Sequence, residues 1–324
     1  MRFFALVPLL VLAAPVLAQE SADQEKEEAR LLRKARRLID DGEKAQARDE
    51  LEKLSALAQQ RGHDKNVVLA LTEELKLVGD NKEDEARVLD HLSHYELRSG
   101  DFSSSARHLE RLAELRPDDA RLANNLGYSL HMSGKDEAAL KSYERCIELD
   151  PEYSLARITL GQVARLAGKP QRALRSHEKL LARAKEGSIG TGSWFYAFES
   201  EKEREQGKGS TFDTDAKKLG LVKLQVALDH AFLDDLEAAE KAIKEAKESS
   251  AADDLAPAID KARDDLERAL ELRPAHFQLH YALALLAGAK GDDAGKKAEL
   301  EKFVEAEKKV HAFAKKAKDA LEEK

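Results

Sequence analysis

The feature that most constrains the fold of this chain is a sequence pattern that recurs every 34 residues. Pro117 and Pro151 are 34 positions apart, and the pair Leu126-Gly127 recurs as Leu160-Gly161 at the same interval. Proline ends a helix because it lacks an N–H group and clashes with the preceding turn. A repeat of this length corresponds to a helical hairpin, which must stack on its neighbours to bury its apolar face. The sequence therefore predicts stacked helical hairpins across 86–187.

The unit 120–153 carries the clearest copy of the pattern. Its small residues Gly127 and Ala139 allow two antiparallel helices to approach closely, and Tyr143 stands at an aromatic position. The order Leu126-Gly127, then Ala139, then Tyr143 and finally Pro151 resembles the tetratricopeptide repeat. Three units share one register, namely 86–119, 120–153 and 154–187, and 28–61 is a more divergent copy.

The resemblance implies an all-α solenoid of helical hairpins, wound into a right-handed superhelix. We expect the solenoid to span 19–186, and further helical repeats to span 214–324, closed by a capping helix with a polar outer face. Between them, 187–213 breaks the rhythm with five glycines and the aromatic run Trp194-Phe195-Tyr196. We expect an irregular insert there. One further helix, predicted over 65–78, has no partner that the pattern assigns.

The composition suits such a solenoid and narrows the choice of partner. The chain has 324 residues, of which 36% are charged and 5% aromatic, with a formal net charge of −8. An acidic chain without a long basic run disfavours nucleic acid or an anionic membrane as the main partner. The single cysteine, Cys146, holds a small inward position in its repeat, so we expect it to be a core residue.

The first 18 residues have the pattern of a secretory signal peptide. Arg2 precedes an apolar run, and Val16-Leu17-Ala18 provides a small-residue cleavage site. The alternative is an uncleaved anchor, but the run is shorter than the roughly 20 apolar residues of a spanning helix. We therefore expect an exported protein, periplasmic or secreted, with no integral membrane segment after removal of residues 1–18.

Motifs for catalysis or for metal binding do not stand out from the acidic background. His276 and His280 are four apart on a predicted helix, but no carboxylate or third ligand follows at a motif spacing. The glycines of 187–213 follow no strand and precede no Gly-Lys-Ser/Thr sequence, so they do not form a phosphate-binding loop. The sequence thus predicts a non-enzymatic protein that requires no cofactor and no metal.

The resemblance to tetratricopeptide repeats also implies where a ligand would bind. In such repeats, the first helix of each hairpin lines the concave groove with its residues 2, 5, 9 and 12. Ten of the twelve corresponding positions form the candidate site, namely Arg87, Asp90, His94, Arg121, Asn124, Tyr128, His131, Ile158, Gln162 and Arg165. Arginine, tyrosine and asparagine suit hydrogen bonding and stacking with an extended peptide.

These residues predict a scaffold or assembly factor of the cell envelope that binds a protein or peptide in its groove. A second hypothesis stays open, in which the chain is an enzyme, or an accessory subunit of one, with its site in 187–213. Loss of partner binding on mutation of the groove would favour the scaffold. Loss of a catalytic activity on mutation of 187–213 would favour the enzyme.

Overall fold

The computed structural model of the chain describes residues 7–185, 189, 194–195, 211–212, 214–249, 251–272 and 276–322. The described part forms two compact units, 1–135 and 136–324. The helices of the first unit are α1 Val7–Asp40, α2 Lys44–Arg61, α3 Asp64–Leu75, α4 Lys82–Ser99, α5 Phe102–Leu115 and α6 Ala120–Met132. The helices of the second unit are α7 Asp136–Leu149, α8 Ser154–Leu166, α9 Pro170–Lys185, α10 Asp215–Phe232, α11 Leu236–Ser249, α12 Ala252–Leu272, α13 Gln278–Lys290 and α14 Asp293–Glu322. The predicted all-α class with helical hairpins of tetratricopeptide type is confirmed.

Local signals set where the helices of the repeats begin and end. Asn81 and Asp119 cap α4 and α6 by accepting backbone N–H groups of the first turn, which satisfies donors that have no partner inside the helix. At the turns after α4 and α6, Gly100 and Gly134 have φ values of 81° and 80°. Only glycine adopts this left-handed conformation without a steric cost. The 34-residue spacing of these two glycines therefore repeats the same hairpin turn.

The first unit is held by small, overlapping apolar clusters. One cluster joins α1, α2 and α3 through Ala35, Leu51 and Ala70. The next joins α2, α3 and α4 through Ala58, Val67 and Val88, and a further cluster joins α4, α5 and α6. Each helix thus packs against its neighbours in sequence, as in a repeat array. The helix predicted over 65–78 without a partner is α3, which packs between α2 and α4.

The second unit has a different kind of core. A single apolar cluster combines Ile158 of α8 and Leu180 of α9 with residues of α10, α11, α12 and α13, such as Leu221, Ile243 and Leu266. Sequence analysis grouped α7, α8 and α9 with the solenoid before the insert. All three helices lie in the second unit, and α8 and α9 contribute Ile158 and Leu180 to its core.

The segment predicted to be irregular contains a short antiparallel pair of strands. Strand β1, Trp194–Phe195, pairs with β2, Thr211–Phe212, with Trp194 opposite Phe212 and Phe195 opposite Thr211. Ile189 is buried in the core of the second unit. The rest of 187–213, and with it the aromatic side chains singled out by the sequence, lies outside the described residues.

Both ends of the described chain are helical, with α1 at the N-terminal end and α14 at the C-terminal end. Within 1–18, residues 7–18 form the beginning of α1, which continues to Asp40. At the other end, α14 packs on α13, where Phe303 contacts the rings of Phe277 and Tyr281 at centroid distances of 5.7 and 5.5 Å. Among the residues that the structure describes, no helix is both long enough and apolar enough to cross a bilayer.

Candidate peptide-binding site

The predicted groove positions of α4 and α6 are joined directly by an ion pair. Both terminal nitrogens of Arg121 donate to the Asp90 carboxylate at 3.2 to 3.3 Å. A second guanidinium, that of Arg116, lies 3.8 Å from the same carboxylate. The two helices therefore lie next to each other, and the charge of Asp90 is already neutralised within the protein.

Arg87, the first of the predicted groove residues, binds a neighbouring helix rather than standing free. Its guanidinium donates to Glu74 at 2.5 Å, and that glutamate side chain is almost fully buried. The hydrogen bond to Glu74 raises the pKa of Arg87 above its usual range. Because Arg87 compensates a buried carboxylate of α3, its role is to fix α4 onto α3.

His94 is exposed on α4 and forms part of an aromatic and basic cluster. Its ring meets Tyr95 edge to face, with a centroid distance of 5.4 Å, and the Arg98 guanidinium lies over the Tyr95 ring. Partial burial, reinforced by the positive charge of Arg98, lowers the pKa of His94. A neutral imidazole has one donor and one acceptor nitrogen, so at neutral pH His94 can pair with either kind of backbone group.

On α6, two more of the predicted groove residues are Asn124 and Tyr128. Asn124 is 8% exposed, and its Oδ1 atom accepts no hydrogen bond from the residues that the structure describes. Tyr128 is half-buried, and the edge of its ring contacts Phe102 of α5 at a centroid distance of 5.7 Å. The remaining predicted residue of α6, His131, is 5% exposed and is therefore part of the interior. Asn124 is also more deeply buried than a solvated groove residue would be.

The three groove positions predicted on α8 are enclosed within the second unit. Ile158, Gln162 and Arg165 are at most 2% exposed. Ile158 belongs to the apolar core, while Gln162 and Arg165 bind residues of α10 and α12. The expectation that they line an open groove is corrected here, because the chain's own helices cover that face of α8.

Arg165 is the centre of a buried polar network. Its guanidinium donates to Asp229 at 2.7 Å and to the Gln225 side chain at 2.5 Å, and it lies over the ring of Phe232. Asp265 lies 3.8 Å from Arg165 and accepts hydrogen bonds from Gln162, Gln225 and Lys261. We use the term "buried polar network" for Gln162, Arg165, His177, Gln225, Asp229, Lys261 and Asp265.

His177 completes this network from α9. Its Nδ1 atom lies 2.5 Å from the Asp229 carboxylate and its Nε2 atom 3.1 Å from the Ile158 carbonyl. The His177 ring is therefore held in place from both of its nitrogen atoms. The sequence indicated that His177 packs inside its repeat, since it occupies the aromatic position of the pattern. Its partner Asp229 is 52 positions away and is part of no motif.

The described residues place no group of three or more histidine, cysteine or acidic side chains where they would hold a metal ion. The histidine pair considered from the sequence has other contacts. His280 bonds to Glu299 at 2.6 Å, and His276 lies against the ring of Phe232. A site in 187–213, as the enzyme hypothesis requires, falls mostly outside the described residues.

Comparison with known proteins gives one family match. Residues 92–154 match the family model described as Tetratricopeptide repeat, and the match includes α5, α6, α7 and the C-terminal part of α4. No curated protein matches the chain.

Several solved structures are similar to parts of the chain at low sequence identity. A crystal structure of the MamA protein is 18% identical, covers 62% of this chain and 91% of its own, and has a TM-score of 0.46. A tetratricopeptide repeat protein from Parabacteroides merdae is 15% identical, covers 81% of this chain and 93% of its own, and has a TM-score of 0.46. BtubC from P. vanneervenii is 18% identical, covers 70% and 89% of the two chains, and has a TM-score of 0.44.

Proposed function

Since this chain is a tetratricopeptide-repeat protein, matched over residues 92–154, we propose that it is a non-catalytic scaffold that binds an extended segment of another protein. The binding face consists of the outward sides of α4 and α6, with Asn124, Tyr128 and His94 as its ligand-contacting residues. Arg87, Asp90 and Arg121 hold the two helices in position and do not themselves bind the ligand.

The observation that carries this proposal is the Oδ1 atom of Asn124. A buried acceptor without a donor costs roughly 1–3 kcal/mol, and no described residue donates to this one. Because this atom is enclosed in the free protein, the proposal requires the Asn124 side chain to turn outward on binding, where an extended peptide presents backbone N–H groups at regular intervals. The neighbouring Tyr128 is held by Phe102, so it offers an aromatic surface that loses little conformational entropy on binding.

We expect the double substitution Asn124→Ala with Tyr128→Ala to weaken binding of a protein partner by about 1–2 kcal/mol, the scale of interface anchor residues. The wild-type chain is used as bait in an extract of the source cell's envelope fraction. Proteins that it retains are identified by mass spectrometry, and each is then purified and titrated by calorimetry against the wild type and the variant.

A matched control carries Arg107→Ala with Glu110→Ala, two exposed positions on α5 of the same unit. It should bind as the wild type does, and far-UV circular dichroism should show that all three proteins are folded. Equal affinity of the wild type and of the folded Asn124/Tyr128 variant would place the binding site elsewhere.

The cellular location is part of the proposal, namely an assembly or scaffold role in the cell envelope after export. It rests on the apolar run that follows Arg2 and on the small residues Val16-Leu17-Ala18. We predict that native protein lacks residues 1–18. Intact-mass measurement of protein purified from its natural source should give a chain that begins at Gln19, and a mass that includes the apolar run would contradict export by cleavage.

A further inference from the structure

The second unit carries a concentration of positive charge that the overall composition conceals. Residues 154–185 contain eight lysines and arginines and one glutamate, a net charge of +7 in a chain whose net charge is −8. Four of these cations line a pocket of about 380 Å³ between α7, α8 and α9. We call it the basic pocket and define it by Arg157, Arg172, Arg175 and Lys179.

Arg157, at the base of the basic pocket, is poorly compensated. Its guanidinium is half-buried and, within the described part of the chain, donates only to the backbone carbonyl of Pro151, at 3.1 and 3.4 Å. Burial lowers the pKa of Arg157, because the charged form has lost part of its hydration without gaining a negative partner. An anion in the pocket would restore that lost stabilisation.

Two further cations at the mouth of the pocket have no counter-charge. Arg175 and Lys179 are exposed on α9, and no carboxylate of the described residues lies within ion-pair distance of either of them. Arg172 differs, because it pairs with Glu144 of α7. Glu148 also borders the pocket and pairs with Arg145 at 3.5 Å. Three cations therefore remain available for a ligand.

The spacing of these cations suits the side chains of an extended acidic peptide. Arg175 and Lys179 are four residues apart on a helix, which is about 6 Å along its axis. In an extended chain, side chains on the same side are two residues apart, or roughly 6.5–7 Å. Carboxylates at alternate positions of an extended segment would therefore meet both cations, while the Arg157 guanidinium can donate two hydrogen bonds to a further carboxylate.

The charge of the chain favours a short acidic peptide over nucleic acid. The net charge of −8 repels a long nucleic acid more strongly than a peptide that carries only a few carboxylates. We propose that the basic pocket is a second protein-interaction site, which binds an extended segment with aspartate or glutamate at alternate positions. It is independent of the face on α4 and α6, because all its residues belong to the other unit.

The test measures binding of a fluorescein-labelled peptide in which glutamate alternates with serine, by fluorescence anisotropy on the full-length protein. We expect saturable binding that weakens with added salt. The double variant Arg175→Glu with Lys179→Glu should raise the Kd by at least about tenfold, the effect of losing roughly 1.4 kcal/mol. The milder double variant Arg175→Gln with Lys179→Gln should also raise the Kd. It replaces the charge-reversal variant in the test if that variant does not fold.

The matched control is Lys241→Glu with Lys244→Glu, which makes the same change in net charge at two exposed positions of α11. It should leave the Kd unchanged. Equal weakening by the control would show general electrostatic attraction and overturn the proposal. Equal binding of a peptide with glutamine in place of glutamate would overturn it as well, and so would complete competition by inorganic phosphate at matched ionic strength, since the pocket would then be a simple anion site.

Discussion

Truncation of Arg165 to alanine should lower the free energy of unfolding by about 3–5 kcal/mol, the cost of breaking a buried ion pair by removing one partner. Arg165 is 1% exposed and Asp229 is fully buried, so water cannot replace the lost contacts. In the variant, Asp229 keeps its contact with His177 but loses the one with Arg165. The side-chain oxygen of Gln225 also loses the hydrogen bond that Arg165 donates to it. The substitution also removes the hydrogen bonds that join α8 to α10, because Arg165 is bonded to both Gln225 and Asp229.

The measurement is urea unfolding followed by far-UV circular dichroism, with the midpoint and slope fitted for each protein. Arg263→Ala is the control, because this arginine is half-exposed and its nearest carboxylates lie at 3.8 to 4.0 Å. We expect it to change stability by no more than about 0.5 kcal/mol. If Arg165→Ala were as stable as the control, the buried polar network would not hold the second unit together.

Substitution of Gly161 by alanine should destabilise the protein, although the same change usually stabilises a helix interior by about 0.5–1 kcal/mol. A Cβ atom at position 161 would lie under 3.0 Å from three atoms of the His177 ring. That ring is fully buried and bonded on both sides, to Asp229 and to the Ile158 carbonyl. It cannot move without losing these contacts, so we expect a net loss of roughly 1–3 kcal/mol, as for an overpacked core.

Gly288→Ala provides the comparison within the same unit. Its added Cβ would meet only the flexible side chain of Lys296, with the Cδ atom 3.1 Å away. We expect this variant to match the wild type or to be more stable by up to about 1 kcal/mol. Differential scanning calorimetry of both variants gives the comparison, and a Gly161→Ala protein that melts above the wild type would contradict the close contact with His177.

The hairpin repeats were predictable from the sequence because their determinants are local. Helix ends are set by residues within one turn of the boundary, such as Asp119 before α6 and Pro151 after α7. Cys146 is fully buried, as its inward repeat position predicted. The apolar spacing of each helix likewise identifies the side that packs against its neighbours.

The candidate site was predicted less completely. The pattern that identified Asp90 and Arg121 correctly placed them on adjacent helices, where they form an ion pair. The pattern did not show that the charges of Asp90 and Arg121 neutralise each other, nor that Arg87 binds Glu74. The partner of a charged side chain depends on distances between helices, which the repeat pattern does not contain.

The sequence by itself determined the register of the hairpins and the ends of their helices, because each depends on contacts within a few residues. Only the tertiary structure decided that α8 is covered by the chain's own helices. Gln162 binds Asp265, 103 positions away, and Arg165 binds Asp229, 64 positions away. A polar residue on a helix face has the same sequence pattern whether its partner is a ligand, water or a distant carboxylate. The physical difference is burial, and burial is set by which helices pack on that face.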